Sequence, residues 1–153
     1  MSQDPATEAL LGLLREQRTG VLVTLKRDGR PQLSNVSFTY DDASRTIRIS
    51  ATDDRAKTRN LRRDPRASFY VSAPDMRTYL VAEGDAVLTP AAADPQDATV
   101  EELISVYRAI AGEHPDWDEY RAAMVADKRL VISLRADRLY GAGTHGPVSG
   151  PLD

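Results

Sequence analysis

The chain has no cysteine among its 153 residues. Disulfides, a thiolate nucleophile and a sulfur-ligated metal are therefore excluded. Only two histidines occur, His114 in a predicted helix-helix connection and His145 near the C-terminus, so neither a histidine metal pair nor a histidine-based triad is expected. No G-x-G-x-x-G, Walker A, H-E-x-x-H or G-x-S-x-G motif is found. No apolar run approaches a membrane span, and the opening MSQDPATEALLGLLREQ lacks the basic n-region of a signal peptide. These absences predict a cytoplasmic protein with no membrane partner. The net charge of −3 argues against a general nucleic-acid partner.

What is present is a β-rich pattern flanked by helices, in a length that suits one domain with a real core. Leu10, Leu11, Leu13 and Leu14 recur at helical spacing within Thr7 to Gln17, a short amphipathic helix expected to end at Gly20. Val21 to Lys26 and Pro31 to Tyr40 read as strands joined at Asp28-Gly29, a two-residue hairpin signal, and Thr46 to Thr52 alternates as a third. A short basic helix follows, then strands at Ala67 to Ala73 and Thr78 to Thr89, the second with a bend or bulge at Gly84. Val100, Leu103, Ile104, Tyr107 and Ile110 share one helix face behind Glu101 and Glu102, and Asp116 with Glu119 three residues on opens another helix to Asp127. Arg129 to Arg135 is the last predicted strand. This order predicts a mostly β protein of the α+β class, an antiparallel barrel of about six strands with peripheral helices, and it does not suit a βαβ sheet. Residues 1–143 are assigned to that domain and 144–153 to a flexible tail.

The stretch Ser50 to Arg66, SATDDRAKTRNLRRDPR, is where a ligand is expected. Asp53 and Asp54 offer N-cap chemistry and Pro65 closes the segment, giving a helix from Arg55 to Arg63. Arg55 and Lys57 fall in its first turn, where the macrodipole is already positive; the arrangement costs up to about 1 kcal/mol, and a bound anion reverses its sign. At about 100° per residue, Arg55, Arg59, Arg62 and Arg63 form a stripe, while Lys57 lies with Asn60 and the inward-facing Leu61. The stripe alone reads as a solvated face. Lys57 must snorkel out or meet an anion. Gln32, Ser34 and Asn35 are polar residues in a β-rich run and need partners if buried. Glu83 reads as an ion-pair partner of a nearby arginine, and Tyr79, Tyr107 and Tyr120 as core or interface aromatics. A chain built to hold an anion, with no nucleophile, metal or acid-base pair of its own, is expected to rely on a cofactor.

Four runs carry a resemblance: GVLVTLKRDGRPQLSNV, ISATDDRAKTRNLRRDPRAS, YLVAEGDAVLTP and IAGEHPDWDEYRAAM. Through them the chain resembles actinobacterial split β-barrel proteins, the deazaflavin (coenzyme F420)-dependent branch of the pyridoxamine 5′-phosphate oxidase-like family. The resemblance implies a homodimer of split barrels with two cofactor sites at the subunit interface. It implies a cofactor phosphate held by Arg55 and Lys57, with Ser50, Ala51, Thr58 and Asn60 nearby, and the ring system near Gln32, Ser34, Asn35 and Val36. Partner-subunit residues around Met76 and Tyr79, and from Tyr140 to Gly143, would complete the ring edge. Arg59 and Arg63 would meet the polyglutamate tail. The implied reaction is hydride transfer from C5 of the reduced deazaflavin to a small-molecule substrate such as an enone, a quinone or a tetrapyrrole. Two alternatives stay open at this point: an FMN-dependent oxidoreductase of the same fold, whose phosphate would use the same cluster, and a non-catalytic deazaflavin carrier. A nucleic-acid role for the arginine stripe is a distant third.

Overall fold

The computed structural model describes residues 4–152. Asp4 caps helix α1 (Pro5–Glu16), its carboxylate accepting from the N–H groups of Ala6 and Thr7, and Pro5 opens the helix where no N–H is required. The helix stops at Gln17 rather than at Gly20. Gly20 lies in β1 (Thr19–Leu25), where an added Cβ would sit 2.5 Å from the Phe69 ring and 2.8 Å from the Tyr70 carbonyl oxygen. Its missing side chain serves a close approach, not a helix end.

β1 pairs along its whole length with β2 (Pro31–Ser37) through the predicted turn, in which Gly29 has φ 86°. The single strand expected from Pro31 to Tyr40 is broken at Phe38. That side chain is fully buried, its N–H donates to the Arg18 carbonyl, and the chain then turns into β3 (Thr39–Asp41), which pairs with β4 (Thr46–Thr52). Helix α2 (Ala56–Arg63) leads into β5 (Arg66–Ser72) and then β6 (Tyr79–Leu88). Gly84 marks the expected bend. Up to Asp85 the strand pairs with β5, and from Ala86 to Leu88 it pairs with β7 (Arg129–Arg135). A Cβ at Gly84 would lie 2.2 Å from the Arg135 carbonyl oxygen, so only glycine lets the two halves of the sheet meet there.

Among the described residues nine strands form instead of about six. Besides β3, the extra ones are β8 (Arg138–Gly143), which pairs with β6 from Tyr79 to Glu83, and β9 (Gly146–Pro151), which pairs with β8. The segment read as a flexible tail is therefore largely a strand. Its Gly- and Pro-rich composition shows no β pattern, and its conformation comes from backbone pairing with β8. The main strand order is β2-β1-β5-β6-β7-β4-β3, all antiparallel. The curl of this sheet encloses a core centred on Leu22, Phe38, Ile49, Phe69, Leu80 and Ile132, closed by Leu10 and Leu14 of α1.

Helices α3 (Ala98–Ala111) and α4 (Trp117–Ala126) form a second core with Val131 of β7. Asp97 and Asp116 cap them by accepting from the N–H groups of Val100 and Glu119. Asp97→Ala is expected to cost about 1 kcal/mol, read as a lowered urea midpoint at unchanged slope; an unmoved midpoint would deny the cap any role. Among the described residues no helix covers the outer face of the other half-sheet. Val21, Val23, Leu33, Tyr70, Tyr79, Val81 and Tyr140 share that face by register; Val81 is buried between its neighbours, and the others lie outside both cores. Leu33 is 60% exposed there. No helix of the described residues is long and apolar enough to cross a membrane.

Candidate functional site

The start of α2 departs from the expected capping. Its N-cap is Arg55, which supplies no side-chain acceptor, and no acidic residue lies in the first turn. Asp54 accepts from the Thr52 hydroxyl at 2.9 Å and Asp53 pairs with the Arg62 guanidinium, so neither carboxylate caps the helix. Among the described residues, the first N–H groups of α2 consequently have no side-chain partner. Thr58, fully buried, donates to the Thr52 carbonyl at 2.8 Å and ties this helix start to the end of β4.

Lys57 faces as the helical periodicity predicts, half-buried on the side of Asn60 and Leu61. Burial lowers its pKa below the ordinary lysine value, and Arg55 and Arg129 lower it further. Among the described residues, neither Lys57, Arg55 nor Arg129 has a carboxylate within ion-pair distance. A cationic cluster without counter-charge beside a helix N-terminus suits an anion. Ser50 faces the same way, whereas Ala51 points into the core and offers only its backbone. Arg129 was not singled out from sequence. The β4–β7 register sets it opposite Thr52, and it donates to Ser50 Oγ at 3.3 Å, across 79 residues of chain. No local pattern reports such a pairing.

A second network holds the C-terminal half of α2. Asn60, 8% exposed, donates to Thr24 Oγ1 at 3.1 Å; Thr24 donates to Gln32 Oε1 at 2.7 Å; Arg63 donates to Asn60 Oδ1 at 3.4 Å and to the Leu25 carbonyl. Gln32, Asn60 and Arg63 thus tie α2 to the β1–β2 hairpin. Ser34 and Val36 share the face of Gln32, and Ser34 Oγ is buried with no partner, while Asn35 lies on the opposite, exposed face. Between hairpin and helix is a cavity of about 440 Å³ lined by Lys26, Arg27, Gln32, Ala56, Arg59, Asn60 and Arg63. Its lining has four cations and no carboxylate.

Residues 6–142 match the family described as Pyridoxamine 5′-phosphate oxidase. The chain belongs to that family. A solved structure described as an F420 reductase is 25% identical, with 90% of this chain and 98% of that one covered at a TM-score of 0.61. A conserved hypothetical protein from Mycobacterium tuberculosis is 23% identical, covering 92% and 89% at 0.68. A pyridoxamine 5′-phosphate oxidase-related, FMN binding protein from Nostoc punctiforme PCC 73102 is 16% identical, covering 100% of both chains at 0.63. The last two likenesses bear on the fold alone. The observed architecture is the split barrel of the pyridoxamine 5′-phosphate oxidase family, whose members are mostly flavin-binding oxidoreductases.

In this family member, Met76 and Tyr79 are not brought to α2. β5 leaves α2 at Arg66, paired with Asp85, whereas Tyr79 sits at the other end of the same ladder, opposite Ser72. Met76 is 70% exposed in a turn at φ 65°, and Tyr79 packs on Tyr70 at 5.9 Å between ring centroids. Glu83, expected in an ion pair, makes none within 4 Å among the described residues; it lies half-buried between Ser68 and Arg138 in register. Tyr120 is no proton donor for chemistry, because its hydroxyl is committed to the Leu103 carbonyl at 3.0 Å and burial pushes its pKa up to about 12. Arg59 and Arg62 are exposed, Arg59 on the cavity wall and Arg62 in its pair with Asp53.

Proposed function

We propose that the chain is a coenzyme F420-dependent oxidoreductase, acting as a homodimer on an oxidised small molecule of the enone, quinone or tetrapyrrole class. The observation that carries F420 over FMN is the surplus of positive charge. The cations at the start of α2 suffice for the phosphate both cofactors possess. The neighbouring cavity adds Lys26, Arg27 and Arg59, beside an Arg63 already bonded to Asn60 and Leu25, and these cations match the carboxylate-bearing tail that F420 has and FMN lacks. When bound, the reduced deazaflavin supplies a hydride to the substrate. This chain's own contribution is to hold the phosphate with Lys57, Arg55 and the free N–H groups of α2, to receive the tail along Arg59 and the hairpin, and to aim the inner face of β2 at the ring system, with the unpartnered Ser34 Oγ as the polar contact.

FMN remains the second reading because a family neighbour of the same fold is described as FMN binding. Parallel fluorescence titrations with F420 and FMN decide between them. Tight F420 and weak FMN binding is the expected result, and the reverse would move the protein to the FMN side of the family. Oxidation of the reduced cofactor by none of a panel of enones, quinones and tetrapyrroles would leave a non-catalytic carrier. Arg62→Ala, remote from the phosphate and already neutralised by Asp53, is expected to change F420 affinity less than about threefold; a loss like that of Lys57→Ala would overturn the assignment of the helix face.

The dimer reading rests on the uncovered outer face of β2, β1, β5, β6 and β8, where a second copy would bury Val21, Val23, Leu33 and the tyrosines, bringing Met76, Tyr79 and Tyr140 against the partner's cofactor. Leu33→Glu, at an exposed position, is expected to leave the monomer fold intact and halve the mass seen by sedimentation equilibrium. A wild-type protein sedimenting as a monomer would refute the reading.

A further inference from the structure

We propose that Arg129 is the third cation of the phosphate site, presented from β7 to the same anion that Arg55 and Lys57 meet from α2. This rests on the cofactor reading above. The backbone, not the arginine's own side chain, places it. After α4 the chain reverses at Lys128, φ 50°, and the Lys128 carbonyl accepts from the Asp53 N–H at 3.0 Å, so the start of β7 is docked against the loop that enters α2. The guanidinium is then under-used. Among the described residues, its one hydrogen bond goes to Ser50 Oγ at 3.3 Å, a long contact, while its Nε is buried with no acceptor. A buried donor without a partner is costly, and a planar guanidinium offers two parallel donors that match phosphate oxygens. Lys57, close enough to feel its charge, is like-charged, and among the described residues no further hydrogen bond completes the bonding of Arg129. One oxyanion would satisfy Nε and relieve the repulsion within the cluster together.

The competing account is that Arg129 only braces β4 through Ser50. The two separate by sign. Calorimetric titration with F420 and with inorganic phosphate, on wild type, Arg129→Gln, Arg129→Lys and Lys57→Ala, is paired with the melting temperature of each ligand-free protein. The expected result is a tenfold or greater loss of F420 affinity in Arg129→Gln, a smaller phosphate-induced rise in melting temperature, partial recovery in Arg129→Lys, and no drop in ligand-free stability, since one of three repelling charges is gone. Wild-type affinity in Arg129→Gln with loss in Lys57→Ala would refute the role of Arg129 and leave the site standing. A lowered ligand-free melting temperature with unchanged affinity would make it a brace. Wild-type affinity in both variants would remove the site reading itself.

Discussion

Lys57→Ala is expected to weaken F420 binding by about 1 to 3 kcal/mol, the scale of a charge-assisted hydrogen bond. The same change is expected to leave the ligand-free protein as stable or more so, because Lys57 is half-buried near Arg55 and Arg129 with no carboxylate to compensate. This opposition of signs marks a residue kept for a ligand rather than for the fold. Its titration gives a second reading. The folded-state pKa lies below the unfolded value, so the penalty for the charged ammonium is fully present below that folded pKa and is relieved as pH rises through it toward 10.5. Anion affinity runs the other way: a phosphate favours the charged form, so affinity falls once pH passes the ligand-free pKa of Lys57. An alkaline loss of F420 affinity that begins below pH 10.5 in wild type and is absent in Lys57→Ala is the expected pattern. Unchanged affinity in Lys57→Ala at neutral pH would sink the phosphate assignment.

Phe69→Ala is expected to be the most damaging single change, at about 3 to 5 kcal/mol against the 5 to 15 that a domain typically has. Phe69 is fully buried, meets Phe38 edge-on at 4.7 Å, and lies over Gly20, so β1, β5 and the β2–β3 corner all depend on one ring. A chain of this length should lose on the order of 10 °C in melting temperature. Gly20→Ala supplies the cross-check. In the wild type its methyl would meet the Phe69 ring, and in Phe69→Ala that clash is gone while the one with the Tyr70 carbonyl persists. The second substitution should therefore cost less in the Phe69→Ala background than alone. Additive costs, or a Phe69→Ala loss below about 1 kcal/mol, would place the centre of the core elsewhere.

Much of the site was legible where the signal is local. The period of an α-helix puts Lys57 on the side of Leu61 whatever lies around it, and the structure keeps it there. Asp116 with Glu119 opened a helix as read, because a cap and the N–H that donates to it are three residues apart. Capping failed at Asp53 and Asp54, where the motif is equally local, because two competitors won: the Thr52 hydroxyl took one carboxylate and Arg62 the other. The first of these is itself a local contact, whereas Arg62 reaches Asp53 only once the chain has turned into α2. Arginine at 63 read as a ligand contact, yet its guanidinium is largely committed to Asn60 and Leu25, a tie visible only when α2 lies against the hairpin.

The sequence by itself determined the strand-rich class, the β1–β2 hairpin, the capped helices α3 and α4, and the basic face of α2, all of which rest on periodicity and contacts a few residues long. The tertiary structure alone decided that β6 would change partners after Asp85, that the C-terminal segment would become β9, and that Arg129 would be carried to Lys57. The physical reason is common to the three. Antiparallel pairing fixes which distant residues face each other by register, and register is set by the burial of the whole inner face, a quantity no short window of the chain contains.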